Sequence, residues 1–221
     1  MGHFFGLLSP SLGHTLHQNP TNGKRQVMID KANVFVHESA VIDYPTQIGA
    51  GSKIWHFTHV MRNVQIGLSC TIGQGCFIAS KCVLGNNVKV QNNVSIFEGV
   101  ICEDDVFLGP SMVFTNVVNP RAHVVRRGQY KKTIIRKGAT VGANATIVCG
   151  IEIGSYGFVG AGSVVTKDVR PHELVYGNPA RHKGWVSKSG HKLNLQKPGD
   201  EAICPEGGEL YRLTKNAVIT V

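Results

Sequence analysis

The chain has 221 residues, of which 42% are hydrophobic, 17% charged and 7% aromatic, with 26 glycines; this excludes a disordered or collagen-like chain and fits one compact unit or slightly more. Val and Ile number 43 against 12 Leu, which favours strands and turns and argues against a helical bundle. The formal charge of +9 calls for an anionic partner, either nucleic acid, an anionic membrane surface or a phosphorylated small molecule; no apolar run approaches the ~20 residues of a membrane-spanning helix.

Residues 1–26 hold a short apolar stretch, Phe4 to Leu8, with no basic flank before it and no small-residue cleavage site after it, and read as an extra N-terminal tail. The six cysteines (Cys70, Cys76, Cys82, Cys102, Cys149 and Cys204) contain no CxxC pair. Neither a disulfide framework nor a zinc knuckle is signalled, and a reducing cytoplasm is the expected compartment.

From Val36 the chain repeats every six residues: Val36, Ile42, Ile48, Ile54, Val60, Ile66, Ile72, Ile78, Leu84, Val90, Ile96, Cys102, Leu108 and Phe114 keep one phase. The phase fails, then resumes at Ile135, Val141, Ile147, Ile153, Val159 and Val165, often with glycine directly after the aliphatic residue. Four residues after many of these positions comes a small or β-branched residue, such as Ser52, Cys70, Cys76, Cys82, Ala139 and Ser163. Neither a helical nor a two-residue period fits; a hexapeptide β-helix does, with three hexads per triangular coil and residues 18 apart stacked. The prism is expected to be about 30 Å long at the ~4.8 Å spacing of strands, with an aliphatic interior too narrow for a ligand, so sites belong on its outer faces or between subunits.

From Phe114 to Ile135 is 21 residues where one hexad needs six, so a loop over 115–134 leaves the prism. Such a loop in a regular scaffold points to function. After Val165 the pattern ends, Arg170-Pro171 is expected to cap it, and VYGNPARHKGWVSKSG is predicted to form a turn and a short helix; residues 193–221 contain one strand-like piece, ELYRL. The organisation is thus a tail over 1–26, a prism over 27–170 and a cap and tail over 171–221.

Residues 115–192 carry 13 Lys or Arg and three acidic residues, while the rest of the chain sums to minus one. Nucleic acid is disfavoured because no binding module is present and aromatic residues are scarce near the basic run; phosphate-bearing small molecules account for the same surplus. The 18-residue step places Arg62, Ser80, Glu98 and Asn116 on one polar ladder and His56, Gln74 and Asn92 on another, with His59 three positions beyond His56.

Several segments carry a resemblance. VGAGSVVTKDV followed by VYGNPAR looks like the final coil of the left-handed β-helix acyltransferases. WHFTHV, KVQNNVSIFEGV, GPSMVFTNVVNPRA, YKKTIIRKGATVGANATIVCG and GWVSKSGHKL resemble the branch that acetylates the 3-amino group of nucleotide-linked amino sugars, above all enzymes acting on UDP-2-acetamido-3-amino-2,3-dideoxy-glucuronate in O-antigen and polysaccharide biosynthesis. The resemblance spans roughly residues 34–213. It implies an acetyl-CoA-dependent enzyme without metal, a homotrimer with sites between neighbouring prisms, and Asn116 of the FTN motif at the amino group. Glu98, one coil away, is expected to hydrogen-bond the sugar or its amine. Arg62, Asn92, His56, His123 and Arg121 are expected to bind the sugar nucleotide, Arg121 by forking onto a phosphate or a uronate carboxylate. Lys167 and Arg181 are placed for the CoA phosphates, and the main-chain donors of Gly142 and Ala161 for the pantetheine arm.

Three other readings stand beside this one. A β-helix carbonic anhydrase would need His56, His59 and a recruited His123 around zinc. An ice-binding scaffold would need a Thr or Ser array that the sequence lacks. A sister acetyltransferase acting on a deoxythymidine-diphosphate 3-amino-hexose would need no carboxylate partner such as Arg121 or Arg62.

Overall fold

Most inward aliphatic residues end a two-residue strand whose first residue points out, as in Lys53–Ile54, His59–Val60 and Gln65–Ile66. The computed structural model describes residues 28–29, 33–215 and 217–221, so the expected tail over 1–26 lies outside it. The described residues are all-β with no helix, a parallel β-solenoid of hexapeptide repeats. Its first face is a 7-stranded sheet running from Met28–Ile29 to Glu152–Ile153; its third is a 7-stranded sheet from Val41–Ile42 to Val164–Val165. The second face starts at Phe35–Val36 and belongs to a 10-stranded sheet. The register follows the 18-residue step, as in Lys53↔Thr71 and Lys89↔Thr71. Ile54, Ile72, Val90, Leu108, Val141 and Val159 form one fully buried column inside the second face.

The second, small set of inward residues has a task beyond fitting. The hydroxyls of Ser52 and Thr58 donate to the carbonyls of Gly67 and Gly73 at 2.9 and 2.8 Å, and the thiols of Cys70, Cys76 and Cys82 reach those of Gly85, Gln91 and Phe97 at 3.1 to 3.2 Å. Each satisfies a carbonyl just past an inward aliphatic residue. Burial pushes the Cys82 thiol up to about 12, so it serves as a donor and not as a nucleophile.

The glycines after the aliphatic residues do not make the corners. A Cβ on Gly67 would lie 2.5 Å from the Gly85 carbonyl oxygen, so close stacking of coils demands glycine there. The corners lie two residues further on, where the backbone is left-handed at every sixth residue from Gly51 to Ser111, mostly at Gly, Asn, Ser or Asp but also at Phe57 and Lys81.

Two expectations for the C-terminal part are corrected. The prism does not stop at Arg170-Pro171: Val169 bridges Ile153, and strand Glu173–Tyr176 pairs in parallel with Phe158–Val159. The predicted short helix is a hairpin, in which Arg181–Val186 returns antiparallel to Glu173–Tyr176 and then pairs with Lys192–Leu193. The last coil leaves an open sheet edge whose N–H and C=O groups a strand pairs and a helix does not. ELYRL supplies Leu210–Leu213, the centre of a 3-stranded antiparallel sheet, and Trp185, Leu193, Leu195, Cys204, Tyr211, Leu213 and Val218 make a second core.

His172 joins the two cores. Its ring stacks on Tyr156 at 5.1 Å, meets Tyr211 edge-on at 5.4 Å, and shares a 2.9 Å hydrogen bond between Nδ1 and the Val186 carbonyl. Burial drives its titration below the ordinary histidine value, against the opposing bond to Val186 and with help from Lys188. The folded state therefore binds this proton less readily than the unfolded chain. Stability from His172 is complete above pH ~6.5 and declines as pH falls from there, by at most about 1.4 kcal/mol per pH unit. We expect the thermal midpoint to fall between pH 7 and pH 5 in the wild type and much less in His172→Asn, which tolerates the left-handed backbone of this position; equal slopes by calorimetry would refute this.

Candidate active site

The loop starts where the polar ladder ends. Register pairs His59 with Phe77, Phe77 with Ser95 and Ser95 with Val113, so Arg62, Ser80, Glu98 and Asn116 lie on successive coils at the corner between the third and first faces. Arg62 is exposed; Ser80, Glu98 and Asn116 are half-buried. The chain leaves the prism after Asn116 and returns at Thr133–Ile135, which pairs with Val100–Cys102 as if no residues intervened.

The neck of the loop is pinned three times. The Asn116 carbonyl accepts the Lys131 N–H at 3.0 Å, Thr115 Oγ1 accepts the Cys149 N–H at 2.9 Å, and the buried Thr133 Oγ1 accepts the Gly150 N–H at 3.1 Å. The Asn116 carbonyl is thus tied to the returning end of the loop and its neighbour Thr115 to the next coil, so the Asn116 carboxamide projects from a fixed base. Glu98 is engaged as well: Lys81 Nζ lies 2.8 Å from its Oε1. Sequence reasoning missed Lys81, because the hexad pattern marks its position only as a corner.

The other expected sugar-nucleotide residues are spread out. Asn92 lies at the corner between the second and third faces, where its Oδ1 accepts the Gln74 N–H at 3.0 Å. His56 stacks on His37, with ring centroids 3.4 Å apart, beside Trp55 on the early coils. His59 pairs with Asp43 at 3.2 Å, edge-on to Phe77. Arg121 and His123 are exposed on the loop. Among the described residues no three or more His, Cys, Asp or Glu side chains gather as a metal group, and His56, His59 and His123 do not converge.

At the far end, Lys167 and Arg181 line one open cleft of about 280 Å³ with Thr166, Asp168, Ala180 and His182. Its floor is a polar cluster in which Glu173 accepts Arg170 Nε and Nη2 at 3.1 and 2.9 Å and lies 2.8 Å from His182 Nδ1. Burial raises the Glu173 carboxyl, and the bonds from Arg170 and His182 outweigh it, leaving it below the usual carboxylate range. Arg170 also lies 4.5 Å over the Trp185 ring. The expectation for Gly142 is corrected. Its N–H donates to the Val159 carbonyl at 2.8 Å within the ladder, and a Cβ there would meet the Ala161 nitrogen at 2.5 Å, so its glycine and its donor both serve coil stacking. Ala161, one coil on, is exposed.

A relative from Aneurinibacillus thermoaerophilus, dTDP-3-amino-3,6-dideoxy-alpha-D-galactopyranose 3-N-acetyltransferase, is 44% identical over 184 residues, covering 83% of this chain and 93% of its own length. The chain belongs to the hexapeptide-repeat sugar N-acetyltransferases. Residues 45–80 match the bacterial transferase hexapeptide (six repeats) family. A shorter stretch is 37% identical over 98 residues to a serine acetyltransferase of Buchnera aphidicola, covering 44% of this chain and 35% of that protein. Among solved structures, a Bacillus cereus acetyltransferase is 23% identical with a TM-score of 0.48, covering 72% of this chain and 82% of that one. A variant of AntD, a Bacillus cereus N-acyltransferase in complex with dTDP and coenzyme A, is 20% identical with a TM-score of 0.47, covering 71% and 85%. For this acetyltransferase, Thr133→Val should remove the side-chain acceptor of the exposed Gly150 N–H, which water can replace, and cost about 0.5–1 kcal/mol, the net worth of one hydrogen bond; urea unfolding with no shift of midpoint would show that the neck does not depend on that bond.

Proposed function

We propose that this enzyme moves the acetyl group of acetyl-CoA onto the 3-amino group of a nucleoside-diphosphate-linked 3-amino sugar. The observation that carries the reading is Asn116, held at the neck of the loop directly above Glu98 on the outward ladder. The neutral amine attacks the thioester carbonyl; a C–N bond forms, the C–S bond breaks, and CoA leaves as a thiolate. That thiolate has a pKa near ~8.5 and takes up the amine proton, so no strong protein base is required. The Asn116 carboxamide orients the amine, and Glu98 accepts a hydrogen bond from the sugar or its amine. Positioning of this kind supplies much of the rate.

The similarity to the Aneurinibacillus enzyme supports a dTDP-linked 3-amino-3,6-dideoxyhexose as acceptor. A second reading, a UDP-linked amino-sugar uronic acid in O-antigen or polysaccharide biosynthesis, is favoured by Arg62. This exposed guanidinium at the foot of the ladder has no carboxylate partner among the described residues, and Arg121 on the loop has none either. Asn92, His56 and His123 complete the sugar-nucleotide side in a homotrimer, where the exposed loop of one copy reaches a neighbour. Lys167 and Arg181, sharing one cleft, take the CoA phosphates, and Ala161 offers its main chain to the pantetheine arm. Six free thiols fit a reducing cytoplasm.

Asn116→Ala should lower kcat/KM for the amino sugar at least tenfold with KM for acetyl-CoA unchanged; a loss within threefold, under ~0.7 kcal/mol, would remove Asn116 from the reaction. Acetylation of the dTDP-3-amino-3,6-dideoxyhexose compared with the UDP-amino-uronate decides between the two acceptors. Neutralising Lys167 and Arg181 together should raise KM for acetyl-CoA several-fold and affect dephospho-acetyl-CoA less; an equal effect on both would move the 3′-phosphate elsewhere.

A further inference from the structure

Left-handed backbone at the corners is cheap for glycine and tolerable for asparagine, serine and aspartate. Lys81 holds it at φ 65° with a long side chain that is 67% exposed. Two of the other bulky residues in this conformation, Tyr156 and His172, repay the strain by stacking on each other. Lys81 has no such packing. What it has is a 2.8 Å contact from Nζ to Glu98 Oε1, reaching from its own coil to the next, at the corner where Asn116 and the loop begin. An ion pair this exposed contributes little to stability. A strained cation whose contact adds little to the fold is therefore read as serving the site.

We propose that Lys81 is a positioning residue, whose ammonium group fixes the Glu98 carboxylate so that its second oxygen faces the sugar amine below Asn116. This rests on the reading above that Glu98 contacts the acceptor. With Oε1 held by Lys81, Glu98 has one defined orientation, and Oε2 is the oxygen left to accept from the acceptor. Tyr130, the loop residue next to the neck, lies within electrostatic reach of Lys81, and the buried Cys82 lies close behind Glu98. Without the ammonium the carboxylate swings among rotamers, and the loss falls on the acetylation step, not on acetyl-CoA binding.

The test measures steady-state acetylation of the two nucleotide sugars named above by the full chain, with thermal midpoints recorded in parallel. Lys81→Met and Lys81→Asn should each lower kcat about tenfold with KM for acetyl-CoA unchanged, and Lys81→Arg should recover most of the loss. Lys81→Asn should also keep or raise the thermal midpoint, since asparagine suits the left-handed corner; a midpoint that collapses along with activity would make Lys81 a structural clamp and overturn the proposal. In a Glu98→Gln background, Lys81→Met should cost less than twofold further. If the two losses multiply, Lys81 acts on the substrate itself and the proposal fails while Glu98 keeps its role. If Glu98→Gln alone stays within threefold of wild type, the reading of Glu98 fails and the positioning role falls with it.

Discussion

Residue i of this protein pairs with residue i + 18, and almost everything else follows from that register. Parallel strands of only two residues have little stability one by one; stacked on both sides, each gives its N–H and C=O groups to a neighbour and its inward aliphatic side chain to a continuous column. Close stacking leaves no room for a Cβ beside the next coil, which is why Gly67 and Gly142 are glycines. The same stacking strands a carbonyl just past many of the inward aliphatic residues, and Ser52, Thr58, Cys70, Cys76 and Cys82 supply the missing donors. Serine, threonine and cysteine all supply that donor, and the hydroxyls of Ser52 and Thr58 also accept the N–H groups of Cys70 and Cys76.

The register also builds the site. An insertion that disturbed pairing would destroy the prism above it, yet the loop departs after Asn116 and the chain returns to pair Cys102 with Ile135. Pinning by Thr115, Thr133 and Lys131 separates the loop mechanically from the coils it interrupts. The outward face above and below stays regular, and a row of unlike polar residues, Arg62, Ser80, Glu98 and Asn116, becomes a surface along which an extended substrate can lie.

Charge divides in two. Arg136 is held between Glu103 and Glu152 at 2.7 and 2.8 Å, Lys137 lies 3.9 Å from Asp105, and Arg170 serves Glu173, so part of the basic surplus is neutralised within the prism. Lys167, Arg181 and the exposed loop arginines have no carboxylate partner among the described residues and remain for anions. The +9 of the chain is thus concentrated at the loop and at the last coils, which lie within two coils of each other along the third face.

The sequence by itself determined the solenoid. A six-residue period is a local property written at nearly every position from Val36 to Val165, and it also located the loop, the polar ladder and the place of Asn116 on it. Sequence similarity then settled the family. Tertiary structure decided what depends on a partner from another coil: that Glu98 is held by Lys81, that the Gly142 N–H is committed to Val159, that Asn92 caps Gln74, and that Lys167 and Arg181 share a cleft. It also turned the predicted terminal helix into a hairpin. That segment carries no hexad signal, and its conformation is dictated by the unpaired edge of the last coil, which exists only once the prism has formed.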